Sequence, residues 1–319
     1  MDTVLTTEEY FPIRVLAERT GVGHSTLRAW ERRYGLLKPH RTPKGHRLYT
    51  DADTELIKRV LDLLKEGHSI SSAAAYLKNS MSSASVLKGP ITQIEPEQIP
   101  PPGDTPWQGY LEQMMHAIED FSSERLDAVY NEASSLYPLD VISNQLIVPA
   151  LDIFGAGWRA DDAVIGQEHF FSAWLRNKLG ARLHHSSSLA TGNTLVVACA
   201  PGHRHELGAL MFTLAALGRG YRAVYLGADM PLSPLPYIVE RSRARALVLA
   251  VGEMTDFGGL SGDLLEMKAS MKRPLFIGGP IPVSHKQALL EAGIDTLGDQ
   301  LSLAVHVIAG RIPVHDASS

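Results

Sequence analysis

The chain has 319 residues, of which 45% are apolar and 20% charged, with a formal net charge of −5 at pH 7. A chain of this length exceeds one ordinary domain, so we expect two or three. No apolar stretch approaches the roughly 18 residues that a membrane span needs, and residues 1–20 lack the apolar core of a secretory signal. The single cysteine, Cys199, forms no intrachain disulfide and fits a reducing compartment. We therefore predict a cytoplasmic protein with no membrane attachment.

Charge is unevenly distributed along the chain. Residues 1–78 contain 13 Lys/Arg and 10 Asp/Glu, so the acidic excess lies in the remainder. Between residues 24 and 50 the only acidic residue is Glu31. The basic residues of that stretch are Arg28, Arg32, Arg33, Lys38, Arg41, Lys44 and Arg47. A local basic cluster on an acidic chain is typical of phosphate contact.

Residues 11–34 are predicted to form two short helices, separated at Gly21-Val22-Gly23. In the second helix Leu27, Trp30 and Tyr34 recur at the spacing of a buried face. The residues left on its other faces, as a helix entering a major groove requires, are Ser25, Thr26, Arg28, Arg32 and Arg33. Prolines and a glycine amid lysines and arginines at 37–47 indicate a basic loop or β-wing, and Thr50 and Asp51 cap a third helix.

Three segments within residues 11–78, Arg14–Val22, Ser25–Leu36 and His46–Asp53, follow one another in the order of a known domain. They resemble the all-α winged helix-turn-helix of MerR-type regulators. The resemblance implies that residues 1–78 bind a double-stranded DNA operator. It assigns the second helix to the major groove and the wing to the backbone, with wing contacts from Arg41, Lys44, Arg47 and Tyr49. MerR-type proteins usually dimerise through a long helix after this domain, but no heptad run follows here.

Residues 79–106 are predicted to be a linker, because serines and six prolines occur there. Residues 107–189 carry apolar stripes at helical spacing, which favours a four-helix bundle. From 190 to 319 five strand-like runs alternate with helix-like runs. This pattern predicts a multidomain protein whose last domain is an α/β, doubly wound, Rossmann-like parallel sheet.

The loop Pro201–Gly208 follows the first predicted strand of that sheet, and Gly278-Gly279 follows the fourth. Ligands of such sheets bind beyond the carboxyl ends of the strands. A loop histidine beside a glycine suits an axial metal ligand, because neutral imidazole binds transition metals well. His205-x-x-Gly208 with Gly278-Gly279 resembles the cobalamin-binding module.

This second resemblance implies that His205 binds cobalt in place of the cofactor's own base. It also implies that Gly208, Gly278 and Gly279 admit the nucleotide tail. Two positions depart from the module: His203 replaces its usual carboxylate, and Ala250-Val251-Gly252 replaces its Ser-x-Leu/Thr element. Weaker cobalamin binding and a different tetrapyrrole, such as haem, both remain open.

Nine residues separate Trp158 from Glu168-His169. This spacing resembles the adenosylcobalamin-dependent, light-responsive MerR-type repressors of the CarH/LitR group. The resemblance implies that Trp158 covers the adenosyl group and that Glu168 and His169 recognise it or shape its pocket. Arg159 departs from the group, in which light-sensing members can carry a histidine that captures cobalt after photolysis.

The sequence therefore favours a DNA-binding repressor, not an enzyme, that senses light through adenosylcobalamin and forms a homo-oligomer, a dimer or a tetramer. The alternative is a MerR-type sensor that binds haem or a non-adenosyl cobalamin and responds to redox state or vitamin level. A cobalamin-dependent mutase or methyltransferase is disfavoured, since no segment has the size of a catalytic barrel.

Overall fold

The computed structural model describes residues 10–84, 106–157, 162–204, 206–252, 257–281, 283–298 and 300–316. Trp158, Arg159 and His205 lie outside these residues. The chain forms two compact units, residues 1–171 and 172–319. No helix in the described ranges is long and apolar enough to cross a membrane.

The first unit begins with a winged helix-turn-helix, as predicted. Its elements are β1 (Phe11–Pro12), α1 (Ile13–Thr20), α2 (His24–Tyr34), β2 (His40–Arg41), β3 (Arg47–Tyr49), α3 (Asp51–Lys65) and α4 (Ile70–Ala84). Gly21 ends α1 at φ 76°, a left-handed conformation that only glycine adopts readily. Thr50 and Asp53 form a reciprocal capping box that starts α3.

The wing is a small antiparallel sheet in the order β1-β3-β2. His40 pairs with Leu48 and Arg41 with Arg47, which confirms the β-wing alternative to a basic loop. Strand β1, which pairs with β3 through Phe11 and Tyr49, was not predicted. A two-residue strand has no alternating pattern to detect, and its existence depends on the partner strand.

Four helical segments follow, as the bundle prediction requires. They are α5 (Pro106–Glu119), α6 (Ser123–Leu136), a third formed by α7 (Leu139–Ile142), a π-helical turn (Ser143–Ile147) and α8 (Val148–Gly157), and α9 (Asp162–Ser187). The predicted linker begins at residue 79, whereas α4 continues to Ala84. Met114, Ile118 and Leu126 are fully buried, as their spacing indicates.

Phe121 differs from its prediction. Its spacing places it on the inward stripe of α5, but α5 ends at Glu119 and Phe121 has φ 50°. Its side chain is 53% exposed and meets Phe170 edge-on, with the ring centroids 5.5 Å apart. A positive φ is uncommon for a bulky residue. The turn into α6, which Ser122 caps, therefore takes Phe121 out of the helical pattern.

The second unit contains the predicted doubly wound sheet. All five strands are parallel, in the order β5-β4-β6-β7-β8. They are β4 (Thr194–Cys199), β5 (Arg222–Tyr225), β6 (Ala246–Ala250), β7 (Leu275–Gly278) and β8 (Ile294–Gly298). The helices are α10 (Leu207–Gly218), α11 (Leu235–Arg241), α12 (Phe257–Ser270), α13 (Val283–Glu291) and α14 (Leu301–Arg311).

Helices cover both faces of this sheet. α10 and α14 pack on one face through residues such as Phe212 and Ile308. α11, α12 and α13 pack on the other through residues such as Val239, Leu264 and Leu289. Because strand order reverses at β4, the crevice at which ligands of such sheets bind lies at the carboxyl ends of β4 and β6.

Gly279, directly after β7, provides a test of how closely backbone segments approach one another at the carboxyl edge of the sheet. Its φ is 111°, and a Cβ there would overlap the Val251 carbonyl and lie 3.1 Å from the carbonyl carbon. We expect Gly279→Ala to lower the free energy of unfolding of the cofactor-free protein by about 2–4 kcal/mol. Urea unfolding followed by circular dichroism measures this. Gly310→Ala is the control, since its Cβ would meet nothing within 4 Å. Equal midpoints for both variants would contradict the close approach.

Candidate functional site

The recognition helix α2 presents a basic face. Ser25, Arg28 and Arg32 are exposed and recur at i, i+3 and i+7, and Arg33 is exposed beside them. Thr26 corrects the prediction, because it is only 5% exposed. It lies four residues before Trp30, on the buried side of the helix. Thr26 therefore supports the helix from within and does not face DNA.

Two basic residues of the wing, Arg41 and Lys44, are exposed, although a guanidinium nitrogen of Arg41 lies 4.0 Å from a carboxylate oxygen of Glu31. Arg47 is instead half-buried, and its Nε donates to both carboxylate oxygens of Glu31, at 2.8 and 3.1 Å. This hydrogen bond raises the pKa of the Arg47 guanidinium and joins β3 to α2. Arg47 therefore orients the wing against the recognition helix.

Tyr49, the last predicted wing contact, is fully buried, so its assignment to DNA is wrong for this conformation. Its hydroxyl has no hydrogen-bond partner in the described part of the chain, and burial raises its pKa. Tyr49 pairs with Phe11 across β1 and β3, and both rings are buried. The end of the wing strand thus contributes core, because alternate residues of a strand face opposite sides.

The back of the recognition helix is joined to the helical region. The buried indole of Trp30 donates from Nε1 to the carbonyl of Leu136, at the end of α6, over 2.7 Å. Gln145, in the π-helical turn, donates to the carbonyl of Lys65 at 3.2 Å. Sequence reasoning placed Trp30 in a core but could not identify this acceptor. The DNA-reading helix and the bundle are therefore in direct contact.

On α9, Glu168 is half-buried and His169 is exposed. Phe121 lies over the start of this helix, since its Cζ would be 3.8 Å from a Cβ placed on Gly166. Sequence reasoning missed Phe121 as a neighbour of the Glu168-His169 segment. The polar Ser122 after it, which caps α6, was the one available signal of a turn at that point.

The loop after β4 is held by three hydrogen bonds. The N–H of His203 donates to the Ala200 carbonyl at 3.0 Å, and the His203 carbonyl accepts from the N–H of Asp229 at 3.0 Å. The N–H of Gly202 donates to Oδ1 of Asp229 at 2.7 Å. Gly202 itself has φ 75°. The loop that leads to His205 is therefore anchored before that residue.

Glycines keep the carboxyl edge of the sheet open. A Cβ on Gly208 would meet nothing within 4 Å, and the same holds for Gly298. A Cβ on Gly278 would have its nearest neighbours at 3.9 Å. An edge lined by glycines lets a bulky planar ligand approach the backbone. These residues fit a tetrapyrrole, whereas in the described ranges no group of three or more His, Cys, Asp or Glu could hold a metal ion by itself.

A polar network lies beside this edge, within the second unit. Glu206 forms an ion pair with Arg176 of α9 and accepts a hydrogen bond from the hydroxyl of Tyr225 at 2.7 Å. Burial and then this hydrogen bond raise the pKa of Tyr225, so the phenol stays protonated. The adjoining cavity of about 370 Å³ is lined by Arg176, Asn177, Gly180, Ala181, Leu183, Glu206, Leu210 and Tyr225. The residue after His205 is thereby tied to α9 and β5, which sequence reasoning missed because these elements are far apart in the chain.

Comparison with known protein families gives two matches. Residues 11–80 match the MerR HTH family regulatory protein model, and residues 110–183 match the B12 binding domain model. The second match includes α6, whose last residue accepts the hydrogen bond of Trp30.

Two transcriptional repressors are similar to this chain over most of its length and of their own. The chain is 30% identical over 306 residues to the HTH-type transcriptional repressor CarH of Myxococcus xanthus, covering 95% of this chain and 96% of that protein. It is 27% identical to the repressor CarA of the same organism, covering 88% and 90% respectively. The Methanosarcina barkeri monomethylamine corrinoid protein, 17% identical, superposes with a TM-score of 0.50 over 64% of this chain and 99% of its own. That last likeness concerns the fold alone.

The exposed face of α2 leads to a prediction about DNA. We expect Arg28→Ala to weaken operator binding by roughly 1–3 kcal/mol and to relax base preference at one position, because Arg28 is exposed on that face. Arg41→Ala on the wing should mainly lower the salt dependence of binding, as loss of a phosphate contact does. Electrophoretic mobility shifts over a salt series measure both. Unchanged affinity and salt slope in both variants would contradict the assignment of helix and wing.

Proposed function

The chain belongs to the family of B12-dependent transcriptional repressors that join a MerR helix-turn-helix to a B12 binding domain, and we propose that it senses light through adenosylcobalamin. In this proposal the cofactor-loaded protein holds a double-stranded DNA operator in the dark. Illumination changes its oligomeric state, a dimer or a tetramer, and releases the DNA. The protein acts in the cytoplasm as a regulator and not as an enzyme.

One observation carries the proposal. The helix that would read DNA is hydrogen-bonded through Trp30 to Leu136, within the segment that matches the B12 binding domain. A buried indole N–H needs an acceptor, so α2 and α6 are expected to move together. A change in the helical region therefore has a direct physical route to the recognition helix.

The cofactor residues divide into two groups. His205 would bind cobalt, and Gly208 and Gly278 would leave room for the nucleotide tail. The predicted role of Gly279 is corrected, because the Val251 carbonyl fills the space that its missing side chain would occupy. Trp158, Glu168 and His169 would contact the upper adenosyl group. When bound, the cofactor would supply a cobalt–carbon bond that visible light cleaves. Glu206, paired with Arg176 and Tyr225, would restrain the backbone next to His205.

The signal would pass from the cofactor to the recognition helix through a shift in the populations of two conformations. A ligand moves an equilibrium only by the difference in its affinity for the two states. Contacts of Glu168 and His169 with the adenosyl group would favour the DNA-binding arrangement of the helical region. Loss of that group would remove the preference, and the Trp30–Leu136 contact would carry the change to α2.

A second candidate function is a sensor that binds haem or a non-adenosyl cobalamin and responds to redox state or vitamin level. The observation in its favour is a second imidazole at the sheet edge, since the ring of His203 lies against Gly252. Two histidines close together along one loop suit several tetrapyrrole metals.

Absorption spectra of the purified full-length protein separate these functions. We expect adenosylcobalamin bound in the dark to give a spectrum that changes under green light, together with loss of a shifted operator band. Methylcobalamin serves as the control for the adenosyl requirement. A strong Soret band after loading with haem, with no cobalamin bound, would support the second candidate. A light-insensitive operator complex would overturn the light-sensing proposal.

Two variants test the residue roles in the same experiment. His205→Ala should lower cobalamin affinity by about 10–100-fold and alter the spectrum, because it removes the imidazole that would bind cobalt. Glu168→Ala should weaken adenosylcobalamin more than hydroxocobalamin, since only the former has the upper adenosyl group. A wild-type spectrum and affinity in His205→Ala would contradict the axial assignment.

Trp30→Phe tests the route to the recognition helix. It keeps an aromatic ring but removes the N–H donor to Leu136, an interaction of about 1 kcal/mol. We expect cobalamin binding to persist while the light-dependent change in operator affinity falls roughly fivefold. Trp107→Phe is the matched control, because Trp107 is also buried but its Nε1 has no partner among the described residues. Equal light responses in the two variants would exclude this route.

A further inference from the structure

His203 and Gly252 meet at the point where the strand order of the sheet reverses. His203 follows β4, and Gly252 follows the neighbouring strand β6. A Cβ on Gly252 would lie 3.2 Å from Nε2 of His203 and would overlap Cε1 and Nδ1. The imidazole therefore fills the volume that any side chain at position 252 would need.

The loop that carries this ring is anchored through its backbone. The backbone of His203 is held through its N–H by Ala200 and through its carbonyl by Asp229, both at 3.0 Å. The bond with Asp229 joins the loop after β4 to the segment after β5, whereas the bond with Ala200 lies within the loop. A side chain at 252 would thus have to turn the imidazole out of this space while the backbone that carries it stays in place.

Glycine is required at position 252 by the contact with the His203 ring and not by the backbone conformation of that position. Gly252 is absent from the residues with positive φ, whereas Gly279 has φ 111°. An L-residue could therefore adopt the backbone of position 252, and the imidazole of His203 is what opposes it. The sequence shows two unrelated departures from the cobalamin-binding module, at 203 and at 250–252. In the fold, His203 and Gly252 share one space.

We propose that His203 and Gly252 are a sterically coupled pair and that His203 is a specificity-determining residue of the crevice at the ends of β4 and β6. Its imidazole occupies the space in which a side chain at position 252, just after β6, would otherwise stand. A corrinoid bound in the crevice would contact this ring. The role of His203 in ligand specificity rests on the proposed function, whereas the pairing of His203 with Gly252 does not.

A double-mutant cycle on the cofactor-free protein tests the pairing. Gly252→Ala should lower the thermal unfolding midpoint by about 5 °C or more in the wild-type background. In the His203→Ala background the same change should shift it by less than about 1 °C, because the obstructing ring is gone. Gly310→Ala, whose Cβ would meet nothing within 4 Å, controls for a glycine replacement as such. Equal shifts in both backgrounds would overturn the pairing.

Titration with hydroxocobalamin, followed by absorption, tests the role in specificity. We expect His203→Ala to weaken binding about tenfold and to change the spectrum of the bound form. The double variant should bind no worse than His203→Ala alone. Wild-type affinity and spectrum in His203→Ala would overturn the specificity role. Failure of the wild-type protein to bind any cobalamin would overturn the proposed function instead, and the unfolding cycle would still decide the pairing.

Discussion

The indole of Trp30 joins the recognition helix of the first unit to its helical region. It is buried in the recognition helix, yet its hydrogen-bond acceptor is the last carbonyl of α6, more than a hundred residues away in the chain. A buried N–H left without an acceptor costs about 1–3 kcal/mol, so the DNA-reading helix stays seated on the helical region. The contact uses the back of α2 and leaves Arg28 and Arg32 on its exposed face. Docking on the helical region and presentation of a basic face to DNA are therefore compatible.

The second unit depends on a different constraint, the convergence of strand ends in a parallel sheet. Because every strand ends at the same edge, loops distant in sequence come together there. Backbone approaches closely enough at this edge that a Cβ on Gly279 would overlap the Val251 carbonyl, and the space beside Gly252 is filled by the His203 imidazole. Glu206 adds charge to the same region through Arg176 and Tyr225. An edge that combines glycine-lined space with an anchored histidine loop is suited to a large planar ligand.

Local signals accounted for much of the fold. The N-terminal cap of α3 at Thr50, the glycine that ends α1 and the apolar stripes of α5 and α6 depend on neighbours within a few residues, so the sequence alone predicts them. The reciprocal role of Asp53 in that cap was not predicted. The strand–helix alternation after residue 190 predicted the parallel sheet for the same reason. Phe121 was misplaced because a turn interrupted the helical spacing on which its prediction relied.

The sequence by itself determined the order of the domains, the basic face of α2 and the positions of the glycines, since each follows from residue type and short-range spacing. Only the tertiary structure decided which basic-region residues face outward. Thr26 and Tyr49 are buried and Arg47 is held by Glu31, because burial and ion pairing depend on the elements packed around a residue. It also decided that His203 and Gly252 share one space and that Trp30 reaches Leu136. These residues lie far apart in the chain, and only folding brings them within a few ångströms of each other. Sequence patterns, which depend on short spacings, therefore do not reveal such contacts.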